Sequence, residues 1–141
     1  MTGWLLDTNV VSELRKTRPN RRVKEWSDAR TADAFFLSTI TLAEIRFGIE
    51  RQIDPRFRRE LKNWLDHRLR PWFAGRILPV DEEVILEWRR MIARGKERAV
   101  TFSQPDLFIA ATAKVHSLTL CTRNEKDFRR TNIPVFNPWS G

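Results

Sequence analysis

The chain has few of the residues on which several common kinds of protein site depend. It contains one cysteine, Cys121, and two histidines, His67 and His116, among 141 residues. A single cysteine excludes an internal disulfide, and these three residues do not form a Cys/His zinc-binding pattern. We therefore expect an intracellular, cytoplasmic protein without a structural zinc site.

Long hydrophobic runs and several familiar catalytic motifs are also missing. No stretch reaches about 18 consecutive apolar residues, and Asp7 interrupts the first apolar run at once. The sequence thus predicts no membrane span and shows no secretion signal. It contains no phosphate-binding P-loop, no G-x-G-x-x-G motif and no G-x-S-x-G motif.

Acidic residues are outnumbered by basic ones. The chain has 26 Lys and Arg against 18 Asp and Glu, a formal net charge of +8, and a pI near 10.7. Much of the excess lies in residues 15–30 and 56–76, and either segment alone is equally well explained as a solvated helix face. The total charge favours a polyanionic partner, either nucleic acid or an acidic protein.

The remaining composition is that of one ordinary globular domain, residues 1–141. Apolar strands are predicted at residues 4–6, 34–37, 76–80 and 117–121, with a short fifth strand or tail at 133–139. Helices are predicted between them, including one from Asp54 to about Pro71, and Trp26, Trp64 and Trp88 fall in their apolar register. Strands that alternate with helices indicate a parallel sheet covered by helices on both faces.

Acidic residues lie where a ligand site is expected in such a sheet. Asp7 follows the first strand, Glu44 lies in the first turn after the second, and Asp106 lies in the first turn of the helix before the fourth. Each has a structural alternative: a helix N-cap for Asp7 and a favourable helix dipole for Asp106. For Glu44 the alternative is a capping box with Thr41. Because parallel strands end at one edge, the three carboxylates are nevertheless expected to converge there.

Such a cluster of carboxylates needs something to neutralise it. At an effective dielectric of about 20, each close pair repels by on the order of 4 kcal/mol. A proton, a basic side chain or a hard divalent cation can offset this repulsion. Oxygen ligands of this kind suit Mg²⁺ or Mn²⁺, and such a site on a basic protein indicates cleavage of a phosphodiester.

Five segments together resemble one known family. They are "LLDTNVVSE", "LSTITLAEIRFGIE", "FAGRILPVDEEV", "PDLFIAATAKVHSLTLCTRN" and "VFNPW". In this order and spacing, over about residues 5–139, they are similar to the PIN-domain proteins, specifically the VapC toxins of bacterial toxin–antitoxin pairs and their FitB-like subgroup. The resemblance implies an α/β fold, a PIN-like α/β/α sandwich with a central parallel sheet, and Mg²⁺- or Mn²⁺-dependent ribonuclease activity.

The resemblance also assigns catalytic residues. Asp7, Glu44 and Asp106 match the acids of the family's first three motifs and are the expected metal ligands. Where the family has a fourth acid after a Thr-Arg or similar pair, this chain has Asn124. The carbonyl of Asn124, or the carboxylate of Asp127 one short turn later, is expected to serve at that position.

Polar and basic residues beside these acids are further candidates. Thr8 and Asn9 are suited to hydrogen-bond a ligand carboxylate or a bound water, with helix capping as the alternative. Arg46 and Arg123 are suited to bind phosphate with two N–H groups, with a plain surface role as the alternative.

The expected activity is that of an endoribonuclease toxin that leaves 5′-phosphate and 3′-hydroxyl ends. The resemblance implies a cognate VapB-like antitoxin that fills the substrate groove, and a toxin–antitoxin complex that binds operator DNA. It also implies homodimers through the helices between Thr41 and Trp72, where Phe47 and Ile49 exceed what one helix face needs.

Two other functions remain as alternatives. The first is a non-catalytic binding module that acts with its antitoxin in a DNA-bound autoregulatory complex, which the loss of the fourth acid leaves open. The second is a phosphoacceptor receiver domain. That domain requires a lysine after its last strand, and "NIPVFNPW" contains none.

Overall fold

A parallel sheet lies at the centre of the protein. The structure, a computed structural model, describes residues 3–97 and 103–141, and these form five strands. The strands are β1 (Trp4–Leu6), β2 (Phe35–Ser38), β3 (Ile77–Leu78), β4 (Thr119–Cys121) and β5 (Val135–Phe136). Their order is β3-β2-β1-β4-β5, and every neighbouring pair is parallel. The first strand of the chain therefore lies in the middle of the sheet.

Helices connect the strands. Within the described ranges they are α1 (Thr8–Arg15), α2 (Arg21–Asp28), α3 (Thr39–Glu50), α4 (Pro55–Trp64), α5 (Arg70–Trp72), α6 (Glu82–Glu97), α7 (Gln104–Val115) and α8 (Glu125–Arg129). A 3₁₀ turn, Ala32–Ala34, precedes β2, and a π-helical turn, Leu65–Leu69, joins α4 to α5.

The helices cover both faces of the sheet and create two apolar cores. Leu6 of β1 packs with Val10 and other residues of α1 to α4, whereas its neighbour Leu5 packs with Leu107 and other residues of α6 to α8. Both leucines are almost completely buried, and burial of each contributes about 1.5–3 kcal/mol. A strand buried on both faces is continuously apolar, as β1 is. The predicted α/β/α sandwich on a parallel sheet is confirmed.

Capping side chains fix the starts of α2 and α4, and the helix start at Asp54 was predicted from the sequence. The Asn20 side chain accepts hydrogen bonds from the N–H groups of Arg22 and Val23 at the start of α2. Asp54 accepts one from the N–H of Arg56, with Pro55 as the first residue of α4. Both arrangements satisfy N–H groups that have no partner within their own helix.

The helical segment after Asp54 ends at Trp72, close to the predicted end at Pro71. The π-helical turn inside it was not predicted. There the N–H of Arg70 bonds to the carbonyl of Leu65, five residues earlier. The sequence gives no signal for this turn, because the apolar spacing of Leu65 and Leu69 also suits an α-helix.

The three tryptophans that were assigned to helix faces do contact the cores. Trp26 is buried, and Trp64 and Trp88 are partly buried against the first and second core, respectively. Of the helices formed by residues 3–97 and 103–141, none combines the length and the apolar character that crossing a membrane requires.

Candidate active site

Asp7 lies at the end of the central strand and is held by several hydrogen bonds. It is the N-cap of α1, and its side chain is only 6% exposed. Its Oδ1 accepts a hydrogen bond from the Thr8 N–H at 2.8 Å. Its Oδ2 accepts one from the Thr122 hydroxyl at 2.8 Å and a longer one from the Asn9 side-chain amide at 3.4 Å. Asp7 therefore caps α1, and the same carboxylate is also bound by Thr122 and Asn9.

Thr122 is a residue of this site that sequence reasoning did not identify. It follows β4 and is fully buried. Besides donating to Asp7, its Oγ1 accepts hydrogen bonds from the Asn124 N–H at 3.0 Å and from the Asn9 amide at 3.3 Å. The available signal was the position of Thr122 directly after a buried strand. Because β4 lies beside β1 and runs parallel to it, the residue after β4 lies next to the residue after β1, which is Asp7.

The start of α3 corrects two interpretations of Glu44. Ser38 is the N-cap, and its hydroxyl accepts a hydrogen bond from the Ile40 N–H at 3.0 Å. Thr41 therefore lies within the helix, so the proposed capping box with Glu44 is wrong. Glu44 is also the sixth residue of α3 and not part of its first turn. The sequence interpretation failed because Ser38 and Thr39 offer an earlier cap.

The three predicted acids influence one another at this edge of the sheet. Burial raises the pKa of Asp7, and the charge of Asp106 raises it further, while the bonds from Thr122 and Thr8 oppose the shift. Partial desolvation raises the pKa of Glu44, and the charges of Asp7 and Asp106 add to that rise. Asp106 lies in the first turn of α7, as predicted. The fold therefore brings the three carboxylates within electrostatic reach of one another.

This cluster is not a finished metal site. In residues 3–97 and 103–141, no three His, Cys, Asp or Glu side chains are gathered closely enough to hold a metal ion as they stand. In the same ranges, none of the three acids forms an ion pair with a basic side chain. The chemistry of the donor set, three uncompensated carboxylates, fits a hard divalent cation.

Asn124 and Asp127 follow Thr122 along the chain. The Asn124 backbone is tied to the site through Thr122, but its side chain is exposed and makes no capping hydrogen bond. Asp127 is exposed in α8, and it is not among the groups that shift the pKa of Asp7 or Glu44. The structure thus brings together Asp7, Glu44 and Asp106 but does not bring Asp127 into electrostatic contact with them.

The two candidate arginines have different surroundings. The Arg123 N–H donates to the Asn9 Oδ1 at 3.2 Å, so its backbone belongs to the site. Arg46 instead lines a separate cavity of about 430 Å³ between α3 and α4, together with Arg58 and Arg59. Only Arg123 is thus connected to Asp7 by hydrogen bonds.

Comparison with known proteins identifies the family to which this arrangement belongs. The profile of the family described as "PIN domain" matches residues 4–134. Toxin FitB of Neisseria gonorrhoeae is 41% identical over 135 residues, which cover 96% of this chain and 97% of that protein. VapC ribonuclease Y4jK of Sinorhizobium fredii is 36% identical over 135 residues, which cover 96% of each protein.

A solved structure agrees with these sequence relatives. The structure of FitAB bound to an IR36 DNA fragment contains a chain that matches with a TM-score of 0.89 at 39% identity, covering 96% of this chain and 95% of that one. Fold and sequence therefore point in the same direction. The chain belongs to the PIN domain family.

Proposed function

We propose that this protein is a VapC-like toxin, a metal-dependent endoribonuclease that hydrolyses RNA and is neutralised by a cognate antitoxin. The observation that carries the proposal is the group of three uncompensated carboxylates at the end of the central strand, in a chain of net charge +8. Its relatives include a toxin and a VapC ribonuclease, both covered almost from end to end. A basic surface favours a polyanionic substrate.

The metal in this proposal is Mg²⁺ or Mn²⁺, held by Asp7, Glu44 and Asp106. PIN-domain nucleases generally depend on divalent metal ions. A cation bound there would lower the pKa of a coordinated water and offset negative charge on the phosphate. Asn124, or alternatively Asp127, serves at the position of the family's fourth acid.

The chain's own residues prepare the site before any substrate binds. Thr8 and Thr122 fix both carboxylate oxygens of Asp7, and Asn9 adds a third, longer contact. A carboxylate held in this way keeps its orientation without further reorganisation, which preserves the geometry that the reaction needs.

Partners follow from the same reasoning. We propose a VapB-like antitoxin that blocks the groove and forms with this chain a complex on operator DNA, supported by the solved FitAB complex on DNA. We also propose a homodimer through the segment between Thr41 and Trp72, since Phe47 of α3 is 59% exposed. Ile49 does not add to that surface, because it is buried in the chain's own core. The proposed place of action is the cytoplasm, where RNA is available.

The experiment is cleavage of a pool of structured RNAs by the purified chain in Mg²⁺, in Mn²⁺ and in EDTA. Metal-dependent cutting that is lost in Asp7→Asn supports the proposal. The matched control is Asp28→Asn, an identical change at an exposed residue that pairs with Lys24. It should leave cutting unchanged.

Failure to cut in either metal by a folded, antitoxin-free chain would favour the binding module. In that case the purified toxin–antitoxin complex should still bind operator DNA, and Asp7→Asn should not alter that binding. Activity gained in Asn124→Asp would identify the missing fourth acid as the cause.

A further inference from the structure

Arg123 occupies a position beside the candidate active site that the proposed function does not use. Its backbone N–H donates to the Oδ1 of Asn9 at 3.2 Å. The amide nitrogen of the same Asn9 donates to Asp7 and to Thr122. One asparagine side chain therefore links the Arg123 backbone to the central carboxylate.

The guanidinium of Arg123 is held by an aromatic ring. It lies over the Trp139 ring at 5.1 Å from the ring centre. Trp139 packs against the first core, and its backbone N–H donates to the side-chain oxygen of Asn137 at 2.9 Å. The platform beneath the arginine is thus fixed by its own contacts.

Among the described residues, 3–97 and 103–141, no carboxylate forms an ion pair with Arg123 within 4.0 Å. The charge of Arg123 contributes to the lowered pKa of Glu13, but the hydrogen bonds from Lys16 and from the Asn20 N–H are the main causes of that shift. Stacking on a ring face uses the face of a guanidinium and leaves the N–H groups at its edge available.

The arginine also opens onto a cavity of suitable size. The cavity has a volume of about 360 Å³ and is lined by Arg123, Asn124, Glu125, Lys126, Asp127 and Arg129. Arg129 is paired with Glu125 at 2.9 Å, whereas the described residues offer no ion-pair partner to Lys126. Among the described residues, Arg123 and Lys126 therefore face this cavity without ion pairs, as does the carboxylate of Asp127, so the lining carries one more positive than negative charge. Asn124 is neutral where the resembled family would place a further negative charge.

We propose that Arg123 is a substrate-binding residue whose guanidinium binds an RNA phosphate next to Asp7. Trp139 is the positioning residue that holds this guanidinium in place. This proposal rests on the proposed ribonuclease function. A planar guanidinium can donate two parallel hydrogen bonds to phosphate oxygens, which an ammonium group cannot do. The arginine supplies positive charge at the point where the family's fourth acid is absent.

The test measures RNA binding without metal and without cleavage. Binding of a fluorescent single-stranded RNA is followed by anisotropy in EDTA at several salt concentrations, with every variant made in the Asp7→Asn background. Arg123→Ala is expected to weaken binding about tenfold. It should also reduce the slope of log affinity against log salt by about 0.7, the loss of one phosphate contact.

Three further variants separate local contact from general charge. Arg89→Ala removes the same charge from an exposed arginine of α6, which also lies over a tryptophan ring, that of Trp88, and should change binding little. Arg123→Lys should keep the salt slope but lose affinity, because the charge stays and the paired donors are lost. Trp139→Phe should retain most of the RNA binding, because the aromatic ring is kept. Trp139→Leu should lose it. If the melting temperature of Trp139→Leu falls, its binding is corrected for the folded fraction.

Equal losses in Arg123→Ala and Arg89→Ala would overturn the proposal, as would a fall in the melting temperature of Arg123→Ala with no change in RNA binding. The second result would mean that Arg123 only fastens the C-terminal segment. Failure of the ribonuclease proposal looks different, because it shows as an absence of cutting by the wild-type chain in any metal.

Discussion

Replacing Thr122 by valine removes one oxygen atom from the candidate active site and nearly preserves the shape of the side chain. The lost hydroxyl donates to the Asp7 carboxylate at 2.8 Å in a fully buried position. A hydrogen bond to a charged group contributes about 1.5–3 kcal/mol to stability. The Asn124 N–H also loses its acceptor, but Asn124 is exposed and its N–H can bond to water instead. The expected decrease in the free energy of unfolding at pH 7 is therefore about 1.5–3 kcal/mol.

The same change in an Asp7→Asn chain tests the cause of that decrease. An asparagine oxygen still accepts from Thr122, but the bond is now between neutral groups and contributes about 0.5–1.5 kcal/mol. A double-mutant cycle by urea denaturation should thus give a coupling of about 1 kcal/mol between the two positions. Thr122→Ser keeps the hydroxyl and serves as the control for loss of the methyl group.

A coupling near zero, with equal losses in both backgrounds, would refute the reasoning. It would mean that Thr122 stabilises the chain through packing and that its hydroxyl has no special relation to the charge of Asp7.

Three further predictions concern the acids. In metal-free buffer, the free energy of unfolding should fall as the pH rises through the folded pKa of Asp7, because burial holds that pKa above its ordinary value of 3.8, and the full stability should be present below 3.8. Asp7→Asn should remove this part of the pH dependence, which urea titrations at several pH values will check. Asn124→Asp should tighten Mn²⁺ binding in calorimetry by adding a carboxylate, whereas Asp127→Asn should leave it nearly unchanged; the opposite ranking would identify Asp127 as the fourth ligand. Glu87→Gln should lower the free energy of unfolding by about 1–3 kcal/mol without affecting RNA cleavage, because buried Glu87 is bound by Arg94 at 2.7 Å and its other ion-pair partners are Arg90 and Lys114.

The fold could be predicted because its signals are local. Apolar segments such as Trp4–Leu6 are short, are followed by capping residues, and alternate with helical patterns. The chirality of strand–helix–strand units then leaves few arrangements, all of which put Asp7 at one edge with the other acids. For the same reason the three acids could be predicted as a group, Asp7 from its place after β1 and Glu44 and Asp106 from the helices that begin at the same edge of the sheet.

What the sequence could not predict depends on contacts between distant residues. The role of Thr122 requires that β4 lie beside β1, and nothing near Thr122 in the chain indicates that neighbour. The contact between Arg123 and Trp139 depends in the same way on the path of the C-terminal segment. Glu44 was misplaced within its helix for a different reason, because two overlapping capping signals competed and the earlier one, Ser38, prevailed.

The central position of β1 determines when during synthesis the site can form. Asp7 and its partner Thr122 are 115 residues apart. At about 5–20 residues per second, roughly 6–23 seconds separate their translation. Until β4 has been made, one edge of β1 has no strand to pair with and Asp7 lacks the hydroxyl that fixes it. Under the proposed function, a ribosome-bound chain or a fragment that stops before β4 is harmless, and only a nearly finished toxin requires an antitoxin.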